Sequence, residues 1–83
     1  MNSKTTEDFR NWLISSQNLQ RRSAGGIISR RNKLLRIISD PMNLPVHQLK
    51  VRLEEDLAKG LFTRATLSGM VRAEKLFRKF INL

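Results

Sequence analysis

The last stretch of the chain, TRATLSGMVRAEKLFRKFINL (residues 63 to 83), carries its apolar residues at helical spacing and contains no proline. A run of this length exceeds any ordinary strand, so it dictates a long amphipathic helix and, with it, a helical fold. Winding it at about 100° per residue separates two faces. Arg64, Ser68, Arg72, Lys75, Arg78 and Lys79 fall in one arc of about 120°, and Leu67, Met70, Ala73, Phe77, Phe80 and Ile81 fall broadly opposite. The second set is expected to face a core. The first set carries one sign of charge, whereas an ordinary solvated face mixes Glu with Lys at four-residue spacing. Such a stripe costs self-repulsion and calls for a polyanion, although a plain solvated face is the competing reading.

Strict apolar/polar alternation is absent from the rest of the chain, and the breaks fall where helices end. Thr5 or Thr6 can cap a first helix with Glu7 and Asp8 in its first turn, placing Phe9, Trp12, Leu13 and Ser16 on one face, and SSQNLQRR ends it. Ser23 is the expected cap of a second helix that turns Ala24, Ile27, Ile28, Leu34, Leu35 and Ile38 inward. SDPMNLP stops that helix, because a residue before proline is pushed out of the helical region. Pro45 then suits the first turn of a third helix. Val46, Leu49, Leu53 and Leu57 form its inner face, Gly60 is expected to end it in the left-handed conformation, and Thr63 caps the fourth. The expected fold is all-α, a compact four-helix orthogonal bundle in one domain over residues 1–83. Its helices are expected at approximately 6–17, 23–39, 45–59 and 63–82.

Such a domain has a small core. With 83 residues, of which 40% are hydrophobic, it buries only roughly 60–65% of its unfolded surface. It has no cysteine to add a disulfide or a thiolate metal site. The acidic residues near the N-terminus do not fit a signal peptide, and no apolar run reaches the roughly 18 residues that span a bilayer. A soluble, cytoplasmic protein is expected, with no membrane partner.

The chain holds 16 Lys and Arg against seven Asp and Glu, a net charge of +9, and the acids are clustered. Residues 21 to 36 contain none, and Glu74 is the single acid after residue 62. In the second helix Arg22, Ser29, Arg30, Lys33 and Arg36 fall away from the apolar side. Gly25 and Gly26 cost about 1 kcal/mol each against alanine within a helix, which implies that something comes close to the backbone there. Either a phosphate approaches the helix start, where free N–H groups and Arg21 and Arg22 favour an anion, or another helix packs on the glycines. Arg31 falls among the apolar residues and is expected to be structural, paired with Glu54, Glu55, Asp56 or Glu74, or extended to solvent along its apolar stem.

Catalytic chemistry has little to stand on. His47 is the single histidine, and without a second histidine or a cysteine it suits a capping or surface role rather than a metal site. Glu54, Glu55 and Asp56 are adjacent and so point in different directions along a helix rather than converging as an acid/base pair. Gly25-Gly26 has neither the preceding strand nor the Lys-Ser/Thr of a nucleotide loop. No enzyme activity, cofactor, metal or small-molecule substrate is expected.

Three segments carry a family likeness: FRNWL (9 to 13), SAGGIISRRNKLLRII (23 to 38) and TRATLSGMVRAEKLFRKFINL (63 to 83). In their capping residues, apolar spacing and basic positions they resemble the N-terminal core-binding domain of tyrosine recombinases and phage integrases. The resemblance implies a SAM-like helical module that clamps one face of DNA, with a phage or mobile element as its setting. The chain has no tyrosine, so that family's nucleophile is not in it. What is implied is the DNA-gripping module without the catalytic domain.

The expected function is non-catalytic duplex DNA binding through the basic faces of the second and fourth helices. The residues expected to carry it are Arg21, Arg22, Gly26, Arg30, Lys33, Arg64, Ser68, Arg72, Lys75 and Lys79, with Ser68 and Arg72 placed to reach base edges. The alternative is a small interaction module or inhibitor that docks the same basic face on an acidic protein partner.

Overall fold

Two left-handed residues set two of the chain reversals. Asn18 has φ 59° and Gly60 has φ 78°, a region that asparagine tolerates and glycine enters freely. Around Gly60 the third helix ends in a Schellman arrangement, with Gly60 N–H donating to the Leu57 carbonyl at 2.9 Å and Leu61 N–H to the Asp56 carbonyl at 3.3 Å. The computed structural model describes residues 6–82, which form α1 (Thr6–Ser15), α2 (Arg21–Ile37), α3 (Val46–Ala58) and α4 (Arg64–Ile81), with a 3₁₀ turn at Pro41–Asn43. The protein is an all-α helical bundle, and no strand occurs among the described residues. None of the described helices is long and apolar enough to cross a membrane.

The helix starts divide between agreement and correction. Thr63 caps α4 as expected, its hydroxyl accepting from Thr66 N–H at 3.2 Å. Ser23 does not cap α2. The helix begins one turn earlier behind Gln20, so Ser23 lies within it, and the unbonded N–H groups of the first turn belong to residues 20 to 23. Pro45 stands one position before α3 rather than inside it, while Pro41 takes the first position of the 3₁₀ turn. Thr6 is already helical, Thr5 lies outside the described residues, and α1 stops at Ser15, leaving Ser16 exposed.

The core consists of two clusters threaded by the same two long helices. Phe9 and Leu13 of α1 meet Ala24, Ile27 and Ile28 of α2 and Ala73 and Phe80 of α4. At the other end Leu34 and Ile38 pack with Leu49 and Leu53 of α3 and with Leu67, Met70 and Val71 of α4. Each fully buried leucine contributes about 1.5–3 kcal/mol by leaving water. Leu35 was expected inside but is 37% exposed, because the α2 stripe drifts around the helix and leaves it at the margin. Phe77, Ile81 and Trp12 are half-buried against the first cluster. The aromatic side of α4 is therefore occupied by the fold itself.

Between the residues that feed the two clusters lies a buried ionic joint. The Glu74 carboxylate, fully buried, accepts from Arg31 Nε at 3.1 Å and from Arg78 Nε at 2.9 Å. Arg78 Nη2 also donates to the carbonyls of Pro41 and Leu44, each at 2.6 Å. Arg31 lies over the Phe77 ring, 3.4 Å from its centroid. The joint ties α2, α4 and the 3₁₀ turn together. It also removes Arg78 from the basic stripe in which helical winding placed it.

Candidate nucleic-acid interface

The two basic helix faces meet where α2 crosses α4, and a glycine permits the meeting. A Cβ on Gly69 would stand 2.9 Å from Arg30 Nε and 3.1 Å from its Cδ, so the Arg30 side chain lies directly across α4 at this point. Alanine would push it away. The crossing leaves a shallow depression of about 310 Å³ lined by Ser23, Gly26, Ile27 and Arg30 from α2 and by Gly69 and Arg72 from α4. Gly25 and Gly26 have nothing within 4 Å of an added Cβ. Helix packing on these glycines is thereby excluded, and Gly26 opens onto the depression instead.

Arg30 and Arg72 each border a second depression, which makes the surface continuous. On one side Arg30 is joined by Lys33 and Arg36 in a hollow of about 480 Å³, closed by Ile37, Leu61 and Phe62. On the other, Arg72 is joined by Ser68 and Lys75 of α4 and by Lys50 of α3 in a hollow of about 240 Å³. No acidic side chain lines any of the three hollows. Among the described residues no carboxylate pairs with Arg30, Lys33, Arg36, Arg72 or Lys75, while Lys50 lies near enough to Glu54 to help lower its carboxyl pKa, after the larger effect of Arg64. All of these cations are exposed. Their combined field favours an extended anion over a single small one.

The expected site residues fall into three groups on this surface. Gly26, Arg30, Lys33, Ser68, Arg72 and Lys75 come together along it. Arg21, Arg22 and Lys79 are exposed but border none of the three hollows. Arg64 has an acidic neighbour, since its guanidinium meets Glu54 of α3 at 2.9 and 3.4 Å. That hydrogen-bonded contact holds the Glu54 carboxyl below its ordinary pKa and raises that of Arg64. The stripe on α4 is thus not wholly free of acid, as the isolated helix implied.

Lys50 was missed because it lies outside the two basic segments, yet the α3 pattern held a signal: it directly follows Leu49 and so flanks the inner stripe, at what the structure makes the seam with α4. Leu61 and Phe62 had no comparable signal, since their place beside α2 depends on where the α3–α4 connection runs. Among the described residues, no three His, Asp or Glu side chains are grouped as metal ligands would be. Compared with known proteins, the chain is matched by no family model, and no curated protein and no solved structure matches it significantly.

Proposed function

We propose that this protein binds duplex DNA without catalysing a reaction on it, through the surface running from Arg36 across the α2–α4 crossing to Lys75. The observation that carries the reading is the placement of Arg30 over Gly69 beside Arg72, which supports treating two basic helix faces as one acid-free strip. The open space above Gly26 suits the close approach of a phosphate to backbone. The likeness to the core-binding domain of tyrosine recombinases and phage integrases belongs to the same proposal, as does a cytoplasmic setting in a bacterial or phage-infected cell. Ser68 and Arg72 are the side chains proposed to reach base edges, and the remaining cations neutralise phosphates.

Binding of this kind is dominated by counterion release. With five or six phosphate contacts, the log–log dependence of the binding constant on salt should have a slope of about −5. An electrophoretic titration against duplex, single strand and heparin at two salt concentrations tests this. A flat salt response, or no duplex binding at low salt, rejects the proposal and leaves an acidic protein as the partner to pursue.

Two variants separate binding from folding. Arg72→Ala with Lys75→Ala should leave the thermal midpoint almost unchanged, because exposed substitutions typically alter stability by less than about 0.5 kcal/mol. The same pair should reduce the salt slope by about 1.8. Gly69→Ala leaves every charge in place but displaces Arg30. Its midpoint should hold or rise, since alanine is about 1 kcal/mol the better helix former, while duplex affinity falls. Unchanged affinity in Gly69→Ala would show that the position of Arg30 is immaterial.

A further inference from the structure

The hollow beyond Arg30 differs from the other two in the exposure of its apolar lining, since Leu67 and Val71 beside Lys50 and Ile27 at the crossing are buried. Leu61 is 62% exposed, although it occupies the position after the left-handed glycine whose side chain commonly packs back on its own helix. Here it lines the hollow with half-buried Phe62 and with Ile37 of α2, beside Arg30, Lys33 and Arg36 of the same helix. Asn32 and Ser29 add hydrogen-bonding groups to the lining. The hollow, about 480 Å³, falls within the range of pockets that enclose small ligands. An occupant that combines negative charge with a flat apolar face and polar edges would meet all of these groups.

We propose that this hollow receives one unpaired nucleotide of the bound nucleic acid. Its base lies against Phe62 and Leu61, Asn32 meets its polar edge, and Lys33 and Arg36 hold the phosphates on either side. The proposal rests on the DNA-binding reading, because Arg30 makes the hollow continuous with the strip assigned to the duplex. A duplex phosphate backbone would satisfy the cations alone and leave Leu61 in water. An unpaired nucleotide satisfies both kinds of lining residue, since its base offers a π-face to an aromatic or apolar side chain while its phosphates meet the cations. The occupied state is a duplex held along the α2–α4 strip with its strands parted at the Leu61 end.

The test compares a fluorescein-labelled, fully paired duplex with a forked duplex of the same length by fluorescence anisotropy at fixed salt. The fork should bind about fivefold tighter or more, the expectation for one stacked base. A 2-aminopurine at the first unpaired position should change its emission on binding. Leu61→Ser and, separately, Phe62→Leu, which keeps apolar volume in the neighbouring core, should each bring the fork preference below about twofold. Their affinity for the paired duplex should remain that of the parent. Equal binding of fork and paired duplex by the parent protein, or a fork preference that survives both variants, overturns the inference while leaving the duplex reading intact. Failure to bind either DNA overturns the underlying reading as well.

Discussion

Glu74→Gln should destabilise the protein by about 3–5 kcal/mol, the cost of breaking a buried ion pair by removing one partner. Both carboxylate oxygens are engaged, by Arg31 and Arg78, and the residue has no exposure to water. Glutamine keeps the volume but presents an amide group to guanidinium donors, and it leaves two cations close together with no anion between them. A domain of this size is stable by only about 5–15 kcal/mol, so the loss is a large fraction of the total. Urea denaturation followed by circular dichroism should show a lower midpoint with an unchanged slope. A loss below about 1 kcal/mol would mean that the carbonyls of Pro41 and Leu44 and the face of Phe77 suffice for the two arginines. Replacing Arg31, Glu74 and Arg78 together with apolar residues of similar volume should be far milder than Glu74→Gln alone, because the desolvation cost disappears along with the attraction.

Phe80→Ala is the second large effect expected, also on the order of 3–5 kcal/mol, by opening a cavity that a small core cannot collapse to fill. Phe80 is 4% exposed. Its ring lies 5.3 Å from that of Phe9 and 5.5 Å from that of Trp12, centre to centre, so it fastens the end of α4 to α1. Trp12 reports on the loss directly. Its emission should shift to the red and its thermal transition should fall, whereas Phe77→Ala, at a half-buried position, should cost less. If Phe80→Ala melted with the parent but failed to bind its partner, the aromatic side of α4 would be the functional one and the assignment of the helix faces inverted.

Much of the fold was legible because the determinants were local. Gly60 ends α3 and Thr63 caps α4 through interactions that span a few residues, so spacing alone located them. The start of α2 was misplaced by the same logic. A serine followed by small residues resembles a cap, but this helix begins behind Gln20 with no side-chain cap at all. The added turn, Arg21 to Ser23, is exposed, so it extends a helix already held by its buried residues from Ala24 onward. A cap worth a fraction of a kcal/mol to about 2 kcal/mol does not by itself fix a helix start.

The helical period of residues 64 to 81 and their one-signed charge belong to the sequence itself, since a period of 3.6 sorts side chains onto faces before any partner is chosen. The same holds for Arg31, whose position among apolar residues already required a buried anion or an extended path to water. What the sequence by itself left undecided was which cations remain free. Arg78 shares the stripe with Arg72 on an isolated helix, yet it is drawn inward because the 3₁₀ turn brings two carbonyls to it and Glu74 lies one turn before it. Arg64 gains Glu54 from α3, and Lys50, from outside both basic segments, joins Arg72 and Lys75. Each of these outcomes depends at least in part on groups brought near from another element of the fold. Charge interactions act through space and fade with separation, so only the packed structure determines which residues of a basic chain form its open cationic surface.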